Sequence, residues 1–430
     1  MSKINTRYLI IGNSTAAIAC VEGIRSMDSE GEITLVSDEK EHTYSRPLIS
    51  YLLAGDIEKD RMYYRPDDFY EVNKILALLG TKVVKIKPGS NTVFTDDGNE
   101  IHFEKCLIAT GGKPFVPPVE NSDAEGVFTF LSWEDADAVK SHIEKNQVKQ
   151  AVVVGAGLIG MKTVEALLAL GLKVHVVELA GFALSTMLDE TAARFVHERL
   201  EERGVELHFN TTVSKIDLRK DSVCGVKLEN DTKIPCEMLI FAIGVRPNIA
   251  LVKDAGINTD RGIIVDESMQ TNHPDIYAAG DVTQGYDVLL GEKRPIAIFP
   301  NAYRQGKTAG INMAGGDAVY TGGMSMNSVS VCGLPTISVG IINPDDDESE
   351  EIVRLDREQK TYKKIILRDD RVIGAVFVND VDRSGIITGL IKSEVDISGI
   401  RDVLLTDGFG LLMLPREYRK YVVSGVGIEV

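Results

Sequence analysis

At 430 residues the chain exceeds one ordinary hydrophobic core, so two or three domains are expected. Hydrophobic residues make up 44%, and 47 Lys and Arg against 64 Asp and Glu give a net charge of −17, which describes a globular chain and argues against non-specific nucleic-acid binding. The five cysteines (Cys20, Cys106, Cys224, Cys236, Cys332) form no C-x-x-C, and the seven histidines form no pair at metal spacing. That pattern argues for a reducing, cytoplasmic setting and against a disulfide framework, an iron–sulfur cluster or another metal site. No run of 18 apolar residues exists, so no membrane span is expected.

Lys3, Arg7 and the apolar Tyr8 to Val21 have the outline of an export signal, but a strand, a turn and a helix explain them better. Tyr8 to Ile11 reads as a buried strand. Gly12-Asn13-Ser14-Thr15-Ala16-Ala17 is a G-x-S-x-x-A variant of the dinucleotide-binding turn, with Ser14 and Ala17 small enough to keep backbones close. A helix over 16–27 follows, then strand 33–36. Asp38, 21 residues after Ala17, is the expected ribose contact, with Glu39 as the alternative. A polar helix is expected around Trp133 to Asn146.

The second turn is sharper. Val152 to Val154 reads as a buried parallel strand running into Gly155, Gly157 and Gly160 in G-x-G-x-x-G spacing, with Leu158 and Ile159 opening the next helix. The first glycine permits the tight turn, the second admits a pyrophosphate to the backbone, and the third lets helix and strand pack. Strand 173–177 ends in Glu178, 18 residues after Gly160, where an acid meets a ribose hydroxyl. No Arg or Lys stands in 179–185 to receive a 2′-phosphate, which favours NAD over NADP. Two such turns in one chain suggest a flavin and a nicotinamide that exchange electrons.

Three further stretches complete a pattern: Leu107-Ile108-Ala109-Thr110-Gly111-Gly112, Leu239 to Asn248, and Asp275-Ile276-Tyr277-Ala278-Ala279-Gly280-Asp281-Val282. With the two turns they resemble the FAD- and NAD-dependent pyridine nucleotide oxidoreductases, the branch of NADH–rubredoxin and ferredoxin reductases and the front of nitrite reductase. The resemblance covers about residues 7–315. It implies an α/β chain with two Rossmann-like three-layer domains and a C-terminal α+β domain. The FAD domain would be 1–118 plus 246–318, the NAD domain 119–245, and the interface or dimerisation domain 319–430. Strands 363–367 and 372–378 and a helix over 384–392 are expected in the last part, and the acidic run 345–351 reads as a solvated loop.

The resemblance also assigns roles. FAD contacts fall to Gly12, Ser14, Ala17, Asp38, Glu39, Arg46, Pro47 and Val84, and to Ala109, Thr110, Gly111, Gly280 and Asp281. Asp281 would accept bonds from the ribityl hydroxyls, a role compatible with capping a helix that starts there. NAD contacts fall to Gly155, Gly157, Leu158, Ile159, Gly160, Glu178 and Gly244. Glu165, on the helix after the second turn, reads equally as a surface residue.

Sulfur is missing where relatives use it. The first helix has Cys20 alone instead of a C-x-x-x-x-C pair, and Thr43-Tyr44-Ser45-Arg46-Pro47-Leu48 has no cysteine. Electrons are therefore expected to leave the flavin for an external iron–sulfur or rubredoxin-like partner. In the ferredoxin-reductase branch the loop reads R-P-P-L-S-K, its Lys paired near flavin N5 with a Glu of the NAD helix. Here Tyr51 replaces that Lys and Lys162 that Glu, so a cation beside the flavin would come from the opposite side, if Lys162 is not simply solvated. The start of the chain, the Y-S-R-P-L-I-S loop and Met326-Asn327-Ser328 look closest to FAD subunits of anaerobic multi-subunit dehydrogenases, such as phenylglyoxylate dehydrogenase and tungsten aldehyde oxidoreductase. A free-standing NADH oxidase and a non-catalytic FAD/NAD redox sensor remain the alternatives.

Overall fold

The structure is a computed structural model that describes residues 3–416, 418 and 419; the two ends of the expected 1–118 and 319–430 segments lie outside the described residues. Strand β1 (Lys3–Ile11) passes through the first turn into α1 (Thr15–Arg25) and on to β2 (Ile33–Ser37), which runs parallel to it. Helices α2 (Ile49–Ala54) and α3 (Phe69–Val72) precede β3 (Ile75–Leu79). The antiparallel pair β4 (Val83–Lys87) and β5 (Thr92–Thr95) leads to β6 (Glu100–Ile108). These strands form one sheet in the order β3-β2-β1-β6-β5-β4. Strand β1 reaches back to Lys3, further than expected, because its polar half pairs with β6 from Lys3 opposite Glu100. Such a half-exposed stretch has no apolar alternation to announce it.

The chain leaves this sheet by β7 (Gly112–Pro114) and builds a second one. Its elements are β8 (Val127–Thr129), α4 (Trp133–Asn146), β9 (Gln150–Val154), α5 (Leu158–Ala169), β10 (Lys173–Val177), α6 (Glu190–Glu202) and β11 (Glu206–His208). A meander of β12 (Val213–Arg219), β13 (Ser222–Leu228) and β14 (Lys233–Pro235) covers one face before β15 (Met238–Phe241) completes the parallel order β11-β10-β9-β15-β8. Helix α4 begins with a capping box, Ser132 accepting from the Asp135 amide and Asp135 from the Ser132 amide. Strand β16 (Val245–Pro247) then pairs antiparallel with β7, so the outgoing and returning segments lie side by side.

After β17 (Ile263–Ile264), strand β18 (Ile276–Ala278) inserts beside β6 and adds a seventh strand to the first sheet. Strands β19 (Thr283–Asp287) and β20 (Glu292–Arg294) lead to α7 (Phe299–Met313). Helix α7 packs on α1 backbone to backbone: a Cβ on Gly306 or Gly310 would collide with the carbonyl oxygens of Ala16 or Cys20. The G-x-x-x-G spacing on α7 is therefore a packing device of the first unit.

The last part is an antiparallel sheet in the order β21 (Met326–Val331), β22 (Leu334–Gly340), β25 (Arg371–Val378), β24 (Thr361–Arg368), β23 (Glu350–Asp356), with α8 (Ser384–Lys392) against it. The acidic run is not merely solvated. Glu350 and Glu351 belong to β23, and Asp346, Glu350 and Glu351 pair with Arg368, Arg401 and Lys364. The β23–β24 pairing brings Lys364 and Arg368 alongside, and a 3-10 turn after α8 brings Arg401, which a charge count along the chain does not reveal. One apolar cluster joins α2 (Leu52, Leu53), α5 (Met161, Val164) and the β21–β22 hairpin (Val331, Leu334), so all three parts meet at α5. Among the described residues no helix is long and apolar enough to cross a membrane.

Candidate active site

The two glycine turns are built alike. The Gly12 amide donates to Val36 O and the Gly155 amide to Val177 O, both at 2.8 Å. Both glycines have positive φ, +125° and +104°, and a Cβ would strike the Ala109 carbonyl oxygen in one case and the Ala242 carbonyl oxygen in the other. Each turn thus sits against the carboxyl end of the neighbouring central strand, where α/β folds bind ligands.

In the first turn Ser14 is the N-cap of α1 but makes no side-chain capping bond. The hydroxyl of Thr15, in the first turn of the helix, is buried without a partner. Ala17 is fully buried in the place of the third glycine. An uncapped first turn with an unsatisfied buried hydroxyl fits a phosphate-bearing ligand. Gly280 closes the space from the end of β18, at φ +84°, its missing Cβ only 3.1 Å from that of Ala16. Ala109 bonds back to Ile11 O at 2.8 Å, and the crossing continues through Gly111 at φ +63° and a bond from the Thr110 hydroxyl to Asn248 O at 2.9 Å.

Arg46 and Pro47 lie in a single 3-10 turn before α2. Arg46 pairs with Glu39 and donates to the Tyr44 hydroxyl (3.1 Å) and to Leu131 O (3.2 Å), while Tyr44 also bonds Glu39 and accepts the Trp133 amide (3.0 Å). Glu39, not the exposed Asp38, is the acid facing this loop. Burial pushes the Asp281 carboxyl above the usual range, and nearby Arg46 opposes the shift. No helix begins at Asp281: the chain turns into β19, and α7 starts only at Phe299. The Gly280 amide is instead held by Gln305 Oε1 of α7 at 2.8 Å. Val84 is the extra residue of a bulge between Val83 and Lys85, outside the ladder pairing.

Sequence reasoning missed Thr15, Thr43, Ser50 and Gln305. The first three carry buried hydroxyls without partners around this space. Their signal, a polar residue inside an apolar element, is too common to single them out.

In the second turn a Cβ on Gly160 would strike the Gly155 carbonyl, while nothing lies within 4 Å of one on Gly157 or on Gly244. The surface over the turn is therefore open. Leu158 and Ile159 start α5 half-buried, and Gly157 caps it without a side chain. Glu178 accepts the amides of Ala156 (2.6 Å) and Ala180 (2.8 Å), which holds its carboxylate at the edge of the turn. The geometry fits a second nucleotide, pyrophosphate over Gly157 and ribose by Glu178.

Lys162, two residues beyond the turn, is not a solvated helix residue. Its Nζ donates to the Tyr51 hydroxyl at 3.2 Å, lies 4.6 Å from the centre of that ring and pairs with Glu165. Burial works against its charge, but Glu165 and Tyr51 more than offset that, so it titrates above an ordinary lysine. Lys162 thus places a cation against Tyr51 of α2.

Two of the five thiols are unsuited to redox work. Cys20 and Cys106 are fully buried, and burial pushes both far above the usual thiol value. Cys20→Ala is expected to leave NADH-driven flavin reduction within about twofold of the parent; loss of turnover with intact folding would restore a thiol mechanism. The histidines need a correction. Strands β10 and β11 bring His175, Glu206 and His208 together, a cluster hidden by the 33-residue separation of the two histidines. Gln150 Nε2 donates to Pro235 O at 2.5 Å and also faces His175 Nε2 at 2.9 Å. His175 Nδ1 lies 3.3 Å from His208 Nε2 and 3.4 Å from the Glu206 carboxylate.

Residues 6–306 match the family described as pyridine nucleotide-disulphide oxidoreductase, and residues 326–395 match the rubredoxin NAD+ reductase C-terminal domain. The chain is 32% identical over 394 residues to a nitrite reductase (NAD(P)H) of Bacillus subtilis, covering 91% of this chain and 48% of that protein, so it spans about half that relative's length. It is 31% identical over 402 residues to the epsilon subunit of the NADH-dependent phenylglyoxylate dehydrogenase of Aromatoleum evansii, covering 92% of this chain and 94% of that one. The solved structure of an NAD-dependent persulfide reductase from A. fulgidus is similar with a TM-score of 0.87 at 28% identity, over 94% of this chain and 79% of that one. With two nucleotide turns, the uncapped α1 and these matches together, the chain belongs to the pyridine nucleotide-disulphide oxidoreductase family and is an oxidoreductase whose cofactors are FAD and NAD(H).

Proposed function

We propose that the chain is an NADH:acceptor oxidoreductase. It exchanges a hydride between NAD(H) and FAD and single electrons with an iron–sulfur or rubredoxin-like partner, as the FAD subunit of a larger dehydrogenase acting on an aldehyde or 2-oxo acid. The observation that carries this reading is the pairing of two equivalent nucleotide turns with a loop, Thr43 to Leu48, that holds no thiol. The match of residues 326–395 and the likeness to a dehydrogenase subunit support the external partner.

In this reading the FAD unit is 1–118 with 246–318, the NAD unit 119–245, and 319–430 the part through which copies or partner subunits associate. When bound, FAD supplies the two-electron to one-electron conversion. The residues do the rest. The α1 amides and Thr15 would hold the FAD pyrophosphate, Glu39 the adenosine ribose, the Val84 backbone the adenine, and Asp281 the ribityl hydroxyls. Gly155 to Gly160 and Glu178 would hold NAD(H), and Lys162 would present a positive charge to the flavin and stabilise negative charge that develops there.

The test is rapid mixing of the FAD-loaded chain with NADH under anaerobic conditions, followed by rubredoxin, a two-iron ferredoxin or oxygen. Fast bleaching is expected, with reoxidation by an iron protein at least about tenfold faster than by oxygen, a difference of about 1.4 kcal/mol in barrier. Oxygen as the best acceptor would make it an NADH oxidase. Slow bleaching would make it a sensor.

A further inference from the structure

We propose that Glu165 is the positioning residue for the Lys162 cation and ties it to the C-terminal hairpin: one carboxylate oxygen holds the ammonium against Tyr51, and the other is fixed by the backbone of the Cys332 turn. This rests on Lys162 acting beside the flavin, as proposed above.

A Lys and a carboxylate three residues apart on a helix ordinarily form a weak, solvent-screened pair. This pair is different. The two side chains are only 21% and 20% exposed, at the point where α2, α5 and the β21–β22 hairpin share one core. Glu165 Oε1 accepts the Cys332 amide at 2.5 Å, across 167 residues of sequence. That amide has no partner in the ladder, because Cys332 and Gly333 form the two-residue turn between Val331 and Leu334. Both turn residues have positive φ, +48° and +82°, as a tight hairpin turn requires, so the amide's direction is set by the backbone.

The hairpin in turn is seated by Val331 and Leu334, which are buried against the same core as Met161 and Val164 of α5. A fixed donor therefore fixes one carboxylate oxygen, and the carboxylate fixes the ammonium. The groups facing Lys162 from the packed elements are Tyr51 on α2, Glu165 on its own helix, and the Cys332 thiol; Arg199 and Arg203 at the end of α6 act on that thiol. Among these groups Glu165 supplies the carboxylate that favours the protonated form of a partly buried ammonium.

The test uses FAD-loaded protein and three variants: Glu165→Gln, Lys162→Ala and the double. Gln keeps an oxygen for the Cys332 amide and removes the charge. Glu165→Gln is expected to move the ionisation in the pH profile of flavin reduction by NADH down by about one unit or more, and the reaction is expected to slow about tenfold once the pH is about one unit above that ionisation. In the Lys162→Ala background the same substitution should change the rate by no more than about twofold. A multiplicative effect in the double variant, or an unshifted profile in Glu165→Gln while Lys162→Ala is slow, overturns the proposal. Should Lys162→Ala itself match the parent, the flavin role of Lys162 fails, and trace acetylation of Lys162 against pH still decides on Glu165: an unshifted curve in Glu165→Gln overturns the positioning role. If Glu165→Gln does not fold, Glu165→Asp, which withdraws the carboxylate by one methylene, is expected to shift the same curve down, and no shift overturns it.

Discussion

Gly155→Ala yields a protein that still carries FAD and its yellow colour but is reduced by NADH with an efficiency lower by about a hundredfold, which corresponds to about 2.7 kcal/mol. Two penalties act together. At φ +104° an L-residue is strained, a cost of about 1–3 kcal/mol. The new Cβ also meets the Ala242 carbonyl, which is backbone at the end of a buried strand and cannot rotate away. The turn has to shift, and α5 begins at Leu158, so the shift carries the helix N-terminus away from the pyrophosphate position. Gly12→Ala is the matched control, since its Cβ would strike the Ala109 carbonyl; there FAD is lost on gel filtration. Rapid-mixing kinetics with NADH and flavin absorbance after desalting read both. Parent-like efficiency in Gly155→Ala would place the nicotinamide elsewhere.

Asp281→Asn is expected to stabilise the FAD-free protein and to weaken the FAD complex. Burial raises the Asp281 carboxyl above its unfolded value, with Arg46 opposing. A raised acid binds its proton more readily in the folded state. Stability of the FAD-free protein therefore falls as pH rises through the window from the ordinary carboxylate range, about 3.9, to the raised value, and the full penalty applies above it. Asn removes that penalty, so the FAD-free variant melts higher than the FAD-free parent at neutral pH, and the gap closes as pH falls through the same window. With FAD the order reverses. A charged acceptor of hydroxyl bonds is worth about 1.5–3 kcal/mol, so affinity drops roughly tenfold to a hundredfold, and ligand stabilisation falls with it. Thermal melts with and without FAD across pH check both halves. Identical FAD-free melts would mean that Asp281 is not held as a destabilising charge.

Both nucleotide turns were legible because their geometry restricts residue type: Gly12, Gly155 and Gly160 stand where a Cβ would strike a backbone oxygen. Elements with strong apolar periodicity, α5, β10, β25 and α8, were legible for the same local reason. What depends on contacts between distant segments was not. A helix starting at Asp281 is compatible with the local sequence, yet the segment turns into β19, and the Gly280 amide is held by Gln305 from α7. The polar half of β1 is a strand only because β6 pairs with it. His175 and His208, and Glu165 with Cys332, are joined by β-pairing and hairpin docking that no spacing announces. Lys162 opposite Tyr51 was legible in outline, since a swap of two positions preserves a contact.

The side-by-side pairing of β7 with β16 makes the middle of the chain a pendant on a two-stranded stem. Pro114 faces Val245 across that stem, so everything between them could in principle be replaced by a hairpin turn without moving the flanking strands. The packing says otherwise. Helix α2 precedes the stem in sequence, but its Leu52 and Leu53 are buried with Met161 and Val164 of the pendant. Excision would leave an oily helix face on the remnant. The unit of covalent insertion and the unit of cooperative folding therefore have different borders, and the loop carrying Arg46 sits on the strip between them.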